Sequence, residues 1–182
     1  IAGLLALICV YYLSFSFVTN HYEKKAEAMV VEAESAHCRL LAEAMDEAGR
    51  EMIRRYWGIE PAEGLERSFE ASSLCWTILV DGRAAGMFGC SGGEGGTGYA
   101  WLTTAPAIEK VRLRFVRRSR QYIDRMLQRH GTLISWAHVE NRPLLAWLQW
   151  SGFRVEGREG DFLKCVLSQH PPVGEHKTKE DG

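Results

Sequence analysis

No CxxC pair, Cys/His cluster or internal repeat occurs in the 182 residues of this chain. The five cysteines, Cys9, Cys38, Cys75, Cys90 and Cys165, are odd in number and widely spaced, so neither a disulfide framework nor a zinc site is supported. A reducing compartment is the simplest setting for such thiols. Net charge is equally scarce. With 22 Lys and Arg against 23 Asp and Glu, the formal charge is −1 and the pI lies near 6.7, so bulk charge argues for neither nucleic acid nor an acidic partner. What is present is ordinary: 46% apolar and 25% charged residues, the composition of a globular protein, with six Trp for its core. The length fits one domain plus appendages.

Charge is also missing from residues 1–18. At 1.5 Å rise per residue a helix of that length spans roughly 27 Å, close to a bilayer's hydrocarbon thickness. His21, Lys24 and Lys25 follow, and the positive-inside rule would place what comes after them in the cytoplasm. A signal peptide fits less well, because no basic stretch precedes the apolar run and Ser16-Phe17-Val18-Thr19 is no small-x-small cleavage site. The chain opens on Ile, and Met29 stands directly before the first candidate strand. Residues 1–19 therefore read as a transmembrane anchor through 1–18 or as a non-native extension, with 20–28 as linker, 29–168 as the folded domain and 169–182 as a disordered tail.

From Met29 the pattern alternates between strand and helix. Residues 29–32 are a short strand candidate, and Ser35 is a candidate cap for a helix carrying Cys38, Leu41, Ala42 and Met45 on one face. A second helix with Met52, Ile53 and Tyr56 stops at Gly58, and Pro61 opens a third with Leu65, Phe69 and Ala71 inward. Residues 74–80, the Asp81-Gly82 turn signal and residues 84–90 form a hairpin. Residues 91–98 hold five glycines and read as a mobile loop, followed by a strand over 99–103. Thr104-Ala105-Pro106 is the expected opening of the longest helix, which runs to His130 with Gly131 as its stop. A strand over 133–139, a helix over 143–150 and two closing strands over 153–155 and 162–167 complete the order.

This order, and the segment Asn141-Arg-Pro-Leu-Leu-Ala-Trp-Leu-Gln-Trp-Ser-Gly152-Phe153 in particular, resembles the GCN-type N-acetyltransferase (GNAT) superfamily over roughly 140 residues. In that pattern Asn141 caps a helix, Gly152 takes a left-handed exit and Phe153 enters the core. The resemblance implies an α/β (α+β) domain with a mixed, mostly antiparallel sheet flanked by helices, here behind an apolar N-terminal helix. It also implies acetyl-CoA as cofactor, with no metal. Four further segments, Ser72-Ser-Leu-Cys-Trp-Thr, Asp81-Gly-Arg-Ala-Ala-Gly-Met-Phe-Gly, Ala100-Trp-Leu-Thr-Thr and Trp147-Leu-Gln-Trp-Ser-Gly-Phe, are similar to a narrower family. These are GNAT-like phage proteins that include an internal virion protein of short-tailed coliphages. That likeness implies virion or assembly proteins as partners.

Set against the family, two catalytic parts differ. The family places glycines between the fourth strand and the next helix, where backbone N–H groups meet the coenzyme A pyrophosphate. Here the junction Thr103-Thr-Ala-Pro-Ala-Ile-Glu-Lys-Val-Arg112 has no glycine, and Pro106 lacks an N–H. An anion could still be held by Thr103, Thr104 and the Ala107 amide with Lys110 or Arg112, or the junction is an ordinary helix start. The family's proton-donating Tyr, seven residues after the Asn, is replaced by Leu148. Tyr99 could stand in only where the fold brings it near. His138 and Glu140, beside Asn141, are the candidates for a catalytic base, or simply residues at a strand rim.

The longest helix carries Lys110, Arg112, Arg114, Arg117, Arg118, Arg120, Arg125 and Arg129 against Glu109 and Asp124. This face suits phosphate or an acidic partner, or is a solvated surface balanced by acidic helices before it; nucleic acid is a minor option. Three functional readings follow. One is a phage-type GNAT-like protein of the virion or its assembly, with a degenerate acetyl-CoA site. Another is an active acetyl-CoA-dependent N-acetyltransferase acting on an amine. The third is a membrane-tethered cytoplasmic binding module.

Overall fold

In the computed structural model, which describes residues 26–169 apart from the side chain of Tyr56, twelve elements follow the expected order. They are β1 (Ala28–Glu32), α1 (Ser35–Ala44), α2 (Glu47–Trp57), α3 (Pro61–Ala71), β2 (Ser72–Val80), β3 (Arg83–Gly92), β4 (Thr97–Thr104), α4 (Arg112–His130), β5 (Thr132–His138), α5 (Arg142–Trp150), β6 (Arg154–Glu159) and β7 (Phe162–Ser168). The expected apolar segment, most of the linker and nearly all of the tail lie outside the described residues. Ala26 is already buried and Glu27 O accepts from Asp81 N–H at 2.9 Å, so the folded domain starts slightly before Met29. Among the described residues no helix is long and apolar enough to cross a membrane.

The seven strands form one sheet in the order β1-β2-β3-β4-β5-β7-β6, antiparallel except for the β4–β5 pair. The β2–β3 hairpin turns as its sequence requires, with Asp81 at φ 52° and Gly82 at φ 74°, the paired left-handed conformations that suit strand twist. Alternation along the strands sends Trp76, Ile78, Phe88, Leu133 and Cys165 to one face, beneath α4 and α5. Met87 and Ala84 face the other way and pack with Cys38, Leu41, Met45 and Leu65 of the N-terminal helices.

Three local expectations are corrected. Glu34, not Ser35, caps α1: its N–H donates to His37 Nδ1 at 3.1 Å, and Thr77 Oγ1 lies 3.0 Å from the same nitrogen. That tie to β2 sets the helix start. Residues 91–98 are not a mobile loop. β3 and β4 continue pairing to Gly92↔Gly98, and a single turn at Glu94–Gly96 joins them. Ala71 is exposed rather than inward.

The longest helix also begins later than its pattern suggests. A 3₁₀ turn covers Pro106–Lys110, Val111 breaks it at φ −133° and ψ 7°, and α4 starts at Arg112. The tighter turn brings Ala105, Ile108 and Val111 to one side, where they are 2%, 7% and 0% exposed. An α-helical spacing would not align all three.

Gly98 marks where β4 meets β5, opposite Leu133. A Cβ there would lie 2.5 Å from Cys90 Sγ and 2.8 Å from the His130 ring. Gly98→Ala is therefore expected to cost about 1–3 kcal/mol, read as a lower urea midpoint; an unchanged midpoint would refute the close packing. His130 itself is held below the usual histidine range, first by burial and then by the Arg129 charge. The fold thus favours neutral His130, so its contribution is complete above the ordinary value of 6.5 and is lost as the pH falls below it. Stability of the wild type should decline through that window more steeply than that of His130→Gln.

Candidate functional site

β4 and β5 run parallel yet pair only at Thr97↔Thr132, Gly98↔Leu133 and Tyr99↔Ile134. Beyond this, β4 stays with β3 to Gly86↔Thr104, while β5 stays with β7 to His138↔Phe162. The strands therefore separate into a V between residues 100–104 and 135–138. Its open end faces the 3₁₀ turn on one side and the start of α5 on the other. The sequence-selected residues stand around this opening: Thr103, Thr104, Ala107, Lys110 and Arg112 on the β4 side, His138, Glu140 and Asn141 on the β5 side.

On the β4 side the cations are engaged locally. Lys110 Nζ lies 3.5 Å from Asp81 Oδ2, and Arg112 Nε lies 3.3 Å from Glu109 Oε2. Pro106 supplies no N–H, and Ile108 and Val111 turn inward. On the β5 side Asn141 Oδ1 accepts from Leu144 N–H at 3.2 Å, the expected helix cap. Ser151 then closes α5, Gly152 exits at φ 97° and Phe153 is 5% exposed, as the motif implies. His138 is buried against Phe162, with ring centroids 5.3 Å apart. Its Nδ1 accepts from Glu140 N–H at 3.3 Å, so that lone pair is already used. The Glu140 carboxylate is solvent-exposed and lies 4.0 Å from the same nitrogen.

Tyr99 does not replace the missing proton donor. It sits at the closed end, opposite Ile134. His138 is four residues farther along β5, roughly 13 Å at about 3.3 Å per residue. The buried thiols are no substitute nucleophiles: burial pushes Cys90 up to about 12, and burial with the neighbouring Cys38 does the same to Cys75. Among the described residues no group of three His, Cys, Asp or Glu could hold a metal ion.

Side chains fill the V beneath α4 and α5. Trp147 of α5 stacks on Phe115 of α4 with centroids 6.3 Å apart, and its Nε1–H donates to Ser119 Oγ at 3.0 Å. Leu148, at the position of the family's tyrosine, is 1% exposed. The space left among Ala100, Leu102, Leu133, Ser135, Trp147 and Leu148 is about 20 Å³. That holds little more than one water molecule. The Trp147–Ser119 clasp was not legible in the sequence, although both residues lie on inward helical positions.

No family model matches the chain, and no curated protein does. Solved structures match it well. A GNAT-family acetyltransferase from Streptococcus pneumoniae aligns at TM-score 0.58 and 12% identity, over 78% of this chain and 99% of that one. The PaiA N-acetyltransferase from Thermoplasma acidophilum, solved in complex with coenzyme A, aligns at TM-score 0.56 and 14% identity over 78% and 99%. A spermidine N-acetyltransferase from Vibrio cholerae, solved with CoA and spermine, aligns at TM-score 0.57 and 16% identity over 78% and 95%. These likenesses establish the fold as a single GNAT-like α/β domain. They do not show the narrower likeness to phage virion proteins.

Installing the family's tyrosine tests whether the cleft is closed. Leu148→Tyr should destabilise by about 1–3 kcal/mol, since the larger ring enters a filled space with no partner for its hydroxyl. A midpoint equal to wild type in urea denaturation would show that the position opens onto free space.

Proposed function

We propose that this protein keeps the GNAT fold but works by binding rather than by acyl transfer, its thioester cleft being closed by its own side chains. The observation that carries this reading is the packing of Trp147 and Leu148 of α5 against α4 and the inner side chains of β4 and β5, with about 20 Å³ left among them. The engaged cations at Lys110 and Arg112 and the occupied Nδ1 of His138 support it independently. Within this reading, the similarity of the Ser72, Asp81, Ala100 and Trp147 segments to GNAT-like phage proteins supports a virion or assembly role.

A second reading is an acetyl-CoA-dependent N-acetyltransferase. The separation of β4 from β5 favours it, as do the coenzyme-bound structures that share the fold. In that case Thr103, Thr104, Ala107, Lys110 and Arg112 would hold the cofactor, and His138 or Glu140 would serve as base beside Asn141.

Thermal unfolding of the full chain with and without millimolar acetyl-CoA separates the two. A ligand at a hundred times its dissociation constant stabilises by about 2.7 kcal/mol, several degrees for a domain of this size. No rise in Tm is expected. A reproducible rise of that order would overturn the binding-only reading and select the transferase.

A further inference from the structure

A second concavity lies on the other side of α4, away from the V. It has a volume of about 310 Å³ and runs between α4 and the edge strand β1, over β2. Ala28, Val30 and the Tyr122 ring form an apolar floor above the buried Ile78 and Val111, while Arg114, Arg118 and Gln121 stand along its rim. The helix separates the two spaces by its period. Ser119, Ile123 and Met126 line the space beside the V, residues 111, 114, 118 and 121 recur at the three- and four-residue steps of one stripe and line the groove, and Phe115 and Tyr122 border both.

The electrostatics of this groove have one sign. Among the described residues no Asp or Glu belongs to its lining. Arg114 Nη1 donates to Ala26 O at 3.1 Å, which fixes that side chain across the end of the groove. Arg118 is exposed, and among the described residues no carboxylate lies within salt-bridge distance of it. The stripe continues to Arg125, stacked over the Tyr122 ring at 5.8 Å, so the positive field extends past the groove. Small-molecule sites combine just these features: a concave apolar body of roughly 300 Å³ or more and a few convergent polar groups.

We propose that the groove between β1 and α4 binds a small soluble organic anion with an apolar body, its acid group meeting Arg118 and Gln121 and its hydrocarbon lying on Ala28, Val30 and the Tyr122 ring. The inference rests on this groove alone and holds whichever state the V adopts. A flat lipid surface is a poorer match, because the apolar floor is recessed behind the arginine rim.

Octanoate is the probe, titrated into the full chain by calorimetry and followed by backbone-amide NMR. Saturable binding is expected, with the largest shifts at Val30, Arg118 and Gln121. Octylammonium, which has the wrong charge, and acetate, which has no apolar body, should not bind. Arg118→Ala should weaken octanoate about tenfold, the loss of one charge-assisted hydrogen bond. Arg129→Ala removes the same charge from the far end of α4 and should leave affinity unchanged. Unaltered Tm values for both variants separate loss of binding from loss of fold. Absence of saturable binding, equal binding of octylammonium, or equal effects of the two arginine variants would each overturn the proposal.

Discussion

One run of aromatic rings fixes the geometry on which everything else depends. Trp76 of β2 stacks with Phe88 of β3 at 5.3 Å, Phe88 meets Phe115 of α4 edge-on at 5.5 Å, and Phe115 stacks with Trp147 of α5. Tyr122 joins the same group, 5.0 Å from Trp76 and 5.2 Å from Phe88. Such rings bury large apolar areas and add about 0.5–1.5 kcal/mol per well-oriented pair. They hold α4 over β2 and β3 and draw α5 towards α4. The same contacts that hold α4 on the sheet therefore also seat α5, because Trp147 reaches Phe115 and Ser119.

A cofactor cleft and a hydrophobic core make opposite demands on the same space. The splay of β4 from β5 exposes backbone edges and apolar side chains that must be covered by a ligand or by the protein itself. In this chain the second solution is used. Leu148 and Trp147 are apolar at the two positions closest to the gap, and the pairing of β4 with β3 and β5 with β7 continues undisturbed on either side. The β4–α4 junction, residues 103–112, contains no glycine. The junction forms a 3₁₀ turn anchored by the buried Ala105, Ile108 and Val111.

What could be read in the sequence follows from how local each signal is. The Asp81-Gly82 turn, the Gly58 stop and the Asn141 cap depend on the conformational preferences of one or two residues, and they stand where expected. The start of α4 was misplaced because Ile108, Val111 and Phe115 fit both a helix and a 3₁₀ turn followed by a helix; burial of Ala105 decides between them. Five glycines in 91–98 signal conformational freedom locally, whereas Gly98 serves close approach to Cys90 and His130. Long-range partners were beyond reach. Nothing adjacent to Ser119 announces that it accepts a hydrogen bond from Trp147, 28 residues later. The candidate site residues were gathered at one end of the V by topology, but their engagement with Asp81, Glu109 and the Glu140 amide needed the fold.

The basic character of α4 gains meaning from this arrangement. A helix bearing Arg112, Arg114, Arg117, Arg118, Arg120, Arg125 and Arg129 against Asp124 has a strong local excess of positive charge in a chain that is nearly neutral overall. Exposed arginines on a merely solvated helix gain most from acidic neighbours at three- or four-residue spacing. Here Arg120 has Asp124 and Arg112 has Glu109, both within 3.3 Å, while Arg118 stands over the groove with no such neighbour. A charge left uncompensated beside a recessed apolar floor costs little in water, since its solvation is intact. It becomes an asset when an anion with an apolar body arrives, because burial of that body lowers the local dielectric and strengthens the ion contact. The two sides of one helix are therefore unlike: one packs aromatic rings over the sheet, and the other borders a groove with an apolar floor and an arginine rim.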